Sequence, residues 1–108
     1  MFKRSVLLMA LALPLMANAA SVGASNKYQV KIRNFHFVPE RVSVPVGAQV
    51  TWTNRDEEPH IVVSTGNQFP SSPALDTGDH YQTTFSKPGT YTYFCSIHPQ
   101  MVATIVVK

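Results

Sequence analysis

From Tyr28 onward the side chains alternate in twos. Tyr28, Val30 and Ile32 are set against Gln29, Lys31 and Arg33, and Val50 and Trp52 against Thr51 and Thr53; Tyr81, Thr83 and Phe85 follow, then Tyr91, Tyr93 and Cys95. A period of two belongs to half-buried strands, and no stretch holds the 3.6-residue period of an amphipathic helix long enough to form one. Val42 with Val44, Ile61 to Val63, and Val102 to Lys108 add shorter apolar runs, while Pro45, Gly47, Pro88 and Gly89 turn the chain between them. Segment 64–79, with three Gly or Asn and two Pro, reads as a long irregular loop holding at most one weak element. Seven or so short strands in 108 residues make one core and no more, so the expected fold is all-β: a single-domain antiparallel β-sandwich.

The first residues do not belong to that pattern. Lys3 and Arg4 precede an apolar run from Ser5 to Met16, and Ala17-Asn18-Ala19 supplies a small-x-small exit, the layout of a secretory signal peptide over residues 1–19. The run is shorter than the roughly 20 residues a membrane-crossing helix needs. The expectation is an exported, periplasmic protein of residues 20–108 without membrane insertion. Because Lys3 and Arg4 leave with the leader, seven basic residues then face six acidic ones. That near balance excludes nucleic acid, which is bound through a basic patch.

Cys95 is the single cysteine of the chain, so an internal disulfide is impossible. A free thiol in an oxidising compartment is either buried as a small hydrophobe or used. Its neighbours favour use: Cys95-Ser96-Ile97-His98-Pro99-Gln100-Met101 sets a thiolate, an imidazole and a thioether three residues apart, and Met101 is the one methionine beyond the leader. A strand ending at Cys95, interrupted by Pro99, turns the chain so that residues 95, 98 and 101 can converge. His60, some 35 residues upstream at the start of its own strand, completes a His2Cys set with a weak axial Met, the donors of a blue copper electron-transfer site. Taken singly, Met101 would be core filler and His60 or His98 a solvated histidine; the clustering of rare residues argues for one copper ion held by His60, Cys95, His98 and Met101.

These residues resemble the cupredoxins, and among them the amicyanins and the short plastocyanin-like proteins. The Cys-x2-His-x2-Met loop has the short amicyanin spacing. Thr51-Trp52-Thr53-Asn54-Arg55 with Pro59-His60 is similar to the stretch that carries the first histidine ligand, and Phe85 with Pro88-Gly89-Thr90-Tyr91-Thr92-Tyr93 to the strand and turn before the cysteine. The resemblance covers residues 28–108. It implies a Greek-key sandwich, a type 1 copper, and single-electron carriage between redox partner proteins such as a dehydrogenase or a cytochrome, by a monomer that is not an enzyme. Ile61 stands where the family commonly has an Asn that ties the two ligand loops together, and Gln100 where an aromatic is common.

The remaining polar features read as surface. His36 and His80 sit in polar settings, Lys27, Lys31, Arg33 and Arg41 form a solvated basic face, and Asp56-Glu57-Glu58 is a solvated acidic turn. Pro59, Pro99 and Phe69 are expected to surround the exposed edge of His98. Two other functions compete with electron transfer. One is copper delivery or storage, marked by exchange-labile Cu(I). The other is an enzyme with Cys95 as nucleophile and His98 or His60 as base, which lacks an orienting carboxylate at recognisable spacing and leaves Met101 without a role.

Overall fold

The computed structural model describes residues 28–108. The expected leader over 1–19, and Lys27 of the basic face, lie outside the described residues. Within them the chain forms eight strands: β1 Tyr28–Arg33, β2 His36–Val38, β3 Arg41–Val44, β4 Ala48–Asn54, β5 Val62–Ser64, β6 His80–Phe85, β7 Gly89–Cys95 and β8 Val102–Val107. They assemble into two four-stranded sheets, ordered β2-β1-β4-β6 and β3-β8-β7-β5, the sandwich that the alternation implies. Four of the six pairings are antiparallel. The other two, β1 with β4 and β3 with β8, are parallel. Parallel partners need a long crossover, and here β1 reaches β4 by way of β2 in its own sheet and β3 in the other.

Strand β2 is the element that alternation alone does not reveal. It spans three residues and is created by the turn before it, in which Asn34 and Phe35 both take positive φ (53° and 60°) between paired Arg33 and His36. That is the backbone of a two-residue hairpin, usually announced by Asn-Gly; a phenylalanine in the second position hides it.

The core lies where the inward faces meet. Val30, Ile32, Val50 and Trp52 from one sheet pack against Tyr93, Ala103, Ile105 and Val107 from the other, all buried. Trp52 is the hub: its ring meets Tyr93 edge-on at 5.4 Å and stacks on Phe69 at 5.9 Å, while Phe37 packs on Tyr93 at 4.7 Å. Each such pair contributes about 0.5–1.5 kcal/mol beyond its buried area. Phe69 is thereby fixed in the core at 6% exposure, not beside His98 as expected from sequence; it is the aromatic side chain of the irregular loop, and burying it against Trp52 removes a large apolar surface from water. The same loop contributes Leu75, which forms a lone antiparallel bridge with His60.

Candidate metal centre

The β5–β7 pairing builds the site. Its register sets Val62 opposite Cys95, so the residues just before β5 lie beside the end of β7. Cys95 is fully buried there. After it, three backbone bonds coil the chain tightly: His98 N–H donates to the Cys95 carbonyl (3.2 Å), Met101 N–H to the His98 carbonyl (2.9 Å), and Cys95 N–H to the Met101 carbonyl (3.1 Å). Residues 95 and 101 are therefore locked side by side, with Met101 buried and His98 half-buried at the rim.

His60 is not within a strand. It stands two residues before β5, and its backbone is bonded in both directions to Leu75, N–H to carbonyl at 3.1 Å and carbonyl to N–H at 2.8 Å. Its ring is completely buried. Its Nδ1 lies 3.6 Å from Cys95 Sγ, and His98 Nδ1 lies 3.7 Å from the same sulfur. One donor atom from each of His60, Cys95 and His98 falls within 4.8 Å of the others. The sulfur also accepts the Ile61 N–H at 3.4 Å, a backbone contact that does not depend on the side chain at position 61.

The far side of His60 was not foreseen. Its Nε2 lies 2.9 Å from Asp56 Oδ2, and Asp56 is only 8% exposed. The acidic turn is thus solvated at Glu57 and Glu58 but not at Asp56. Two backbone donors from the β1–β2 turn explain the difference: Asn34 N–H reaches Asp56 Oδ1 at 2.6 Å and Phe35 N–H reaches Oδ2 at 2.9 Å. Burial pushes the Asp56 carboxyl up, but the Phe35 and Asn34 N–H groups and His60 outweigh it and hold the carboxyl below its ordinary range. Asn54 supports the same turn. Its side-chain oxygen accepts Asp56 N–H at 2.8 Å, and its Nδ2 donates to the carbonyls of Glu58 and Leu75, both at 2.8 Å. The signal available in the sequence was a carboxylate four residues ahead of a ligand-type histidine.

Phe35 also escaped the reading from sequence. Its ring stands edge-on to His60 at 5.6 Å and to His98 at 4.9 Å, covering both from the β1–β2 turn. His36 and His80 are exposed and away from the cluster, as expected; His36 pairs with Glu40 at 3.6 Å. Lys31, Arg33 and Arg41 are exposed too.

The donor chemistry fits copper. Asp56 accepts a hydrogen bond from His60 Nε2–H, which leaves Nδ1 with the lone pair that a metal needs. Two imidazole nitrogens and one buried thiol then converge, and such mixed soft donors, two of them buried and one half-buried, suit copper.

Comparison with known proteins points the same way. The model of the cupredoxin-like domain family matches residues 5–107. Amicyanin-alpha of Methylorubrum extorquens is 36% identical over 84 residues, which are 74% of this chain and 71% of that protein. Amicyanin of Paracoccus denitrificans is 32% identical over 94 residues, 83% of this chain and 72% of that one. The purple cupredoxin from Nitrosopumilus maritimus superposes with a TM-score of 0.71 at 34% identity, covering 76% of this chain and all of that one. With fold, donor set and sequence in agreement, the chain belongs to the cupredoxin-like domain family and carries a site for one copper ion.

Proposed function

We propose that this protein is a periplasmic one-electron carrier in which His60, Cys95, His98 and Met101 hold a type 1 copper. The observation that carries the reading is the convergence of His60 Nδ1, Cys95 Sγ and His98 Nδ1 within 4.8 Å at a buried end of the sandwich. Bound copper supplies the electron chemistry by alternating between Cu(II) and Cu(I). The chain does the rest. Cys95 and His60 sit at zero exposure and keep water from the centre. Backbone bonds within 95–101 and between His60 and Leu75 hold the donors in place, so little has to move when the charge changes. His98 reaches the rim, where Phe35 and Ile97, 39% and 45% exposed, with Pro59 and Pro99 make an apolar surface. That surface suits brief docking of a redox protein, a dehydrogenase or a cytochrome, with the His98 edge as the electron's route. Residues 1–19 serve as the export signal and 20–108 as the copper domain.

The test is direct. Loaded with Cu(II), the protein should turn intensely coloured through charge transfer from the Cys95 thiolate, and Cys95→Ser should abolish the band. A colourless product, or colour that survives the substitution, rejects the reading. Expression of the full chain should release a periplasmic product beginning at Ala20. Retention of Cu(I) against a chelator through repeated redox cycles separates a carrier from a delivery protein.

One observation favours the enzyme reading more than the sequence did: His60 has Asp56 on one ring nitrogen at 2.9 Å and the Cys95 sulfur near the other at 3.6 Å, so the imidazole has an orienting carboxylate. Yet a nucleophile needs access to substrate, and the Cys95 sulfur is fully buried and already accepts a backbone N–H. In the copper-free protein its alkylation should be much slower than in the unfolded chain.

A further inference from the structure

One carboxylate joins two parts of the molecule that are remote in sequence. Asp56 takes three donors: Asn34 N–H on Oδ1, and Phe35 N–H and His60 Nε2–H on Oδ2. The first two belong to the turn that carries the Phe35 ring over His60 and His98. The third is the far nitrogen of a ligand histidine. Glu57 and Glu58 stand in solvent, where water and salt screen their charge; Asp56 does not, so its charge acts on the centre at close range.

We propose that Asp56 is a positioning residue of the copper centre, which fixes His60 in the Nδ1-presenting tautomer, biases the bound ion toward Cu(II) and ties the Phe35 turn to the same ligand. The inference rests on the assignment of His60 as a copper ligand. Two physical effects give its direction. A carboxylate on the outer nitrogen makes the imidazole a more basic ligand. A buried negative charge also favours whichever state of the ion carries more positive charge, and Cu(II) carries one unit more than Cu(I). An amide at position 56 has a single acceptor oxygen for three donors and carries no charge, so both effects weaken together.

The experiment compares the full-length protein with Asp56→Asn and Asp56→Glu at neutral pH, measuring the reduction potential by voltammetry and the affinities for Cu(II) and Cu(I) by competition with chelators. Asp56→Asn should raise the potential and weaken Cu(II) binding about 10- to 100-fold, the range for loss of a ligand's outer partner. Cu(I) binding should weaken less, and Asp56→Glu should lie nearer the parent because the charge is kept. A folded Asp56→Asn variant whose potential and two affinities match the parent overturns the proposal. Should that variant not fold, nitrogen NMR of the Cu(I) parent decides: a protonated, exchange-protected His60 Nε2 supports the assignment and an unprotonated one overturns it. If the parent itself takes up no copper, the ligand assignment falls and this inference with it, an outcome distinct from a parent and variant that bind alike.

Discussion

The ring of Phe35 stands edge-on to that of His98, with centroids 4.9 Å apart and planes at 78°. It does so from a backbone that phenylalanine seldom adopts, at φ +60°. Left-handed geometry costs a residue with a Cβ about 1 kcal/mol, a cost that glycine escapes. Phe35→Ala would lose the ring and keep the strain; Phe35→Gly would lose the ring and relieve it. The glycine variant should therefore be the more stable of the two by about 1 kcal/mol in denaturant titrations. Equal stability would mean that the turn is not strained.

Ile97 is 45% exposed beside His98, on the apolar rim proposed for docking. Ile97→Glu places like charges face to face when two copies meet. Electron self-exchange, read from NMR line widths in mixtures of the two oxidation states, should slow about tenfold or more at low salt. The visible spectrum should not change. An unchanged exchange rate would move the docking face elsewhere.

Met101 is buried at 3% exposure and anchored by its backbone to Cys95 and His98. As a weak axial donor it tunes the centre without creating it. Met101→Gln should keep copper, lower the reduction potential because an oxygen donor favours Cu(II), and cost about 1–3 kcal/mol of stability for the buried amide. Loss of copper would show Met101 to be a primary anchor.

Asn54, wholly buried, holds the first ligand loop through Asp56 N–H and the carbonyls of Glu58 and Leu75. Asn54→Ala removes all three side-chain bonds but leaves the backbone of β4 intact. It should destabilise the copper-free protein by about 3 kcal/mol, since a buried group left unpaired costs about 1–3 kcal/mol. Urea unfolding of parent and variant measures it, and a difference below the error of the fit would refute the role.

Acid should dissolve the advantage of Asp56. Its carboxyl is held below the ordinary range in the folded protein, so the folded state binds that proton less readily than the unfolded chain does. The stabilisation is then complete above the unfolded carboxylate value of about 3.9 and is lost as pH falls through the lower folded value. The copper-free parent should exceed Asp56→Asn by about 1.5–3 kcal/mol at neutral pH, the range for bonds to a charged group. That gap should close in strong acid. A gap independent of pH would show that the carboxylate is not ionised in the fold.

The strands and the short ligand loop were legible in the sequence because both are local. Alternation of Tyr28, Val30 and Ile32, or of Tyr91, Tyr93 and Cys95, declares which faces are buried within a few residues of chain. The spacing of Cys95, His98 and Met101 likewise forms one coil closed by its own backbone bonds. His60 could be chosen by chemistry from afar, but only the register of β5 on β7 brings it to the sulfur. The burial of Asp56 and the placement of Phe35 were hidden for one reason: each depends on partners more than twenty residues away, Asn34 and Phe35 N–H for Asp56 and the His60 and His98 rings for Phe35, which the fold alone makes neighbours. Asp56 reads as solvent-facing because Glu57 and Glu58 are, until the β1–β2 turn delivers two N–H groups and His60 a third donor. Charge patterning along a chain reports the water that a side chain would meet in isolation, whereas burial of a charge is set by the partners that tertiary packing supplies.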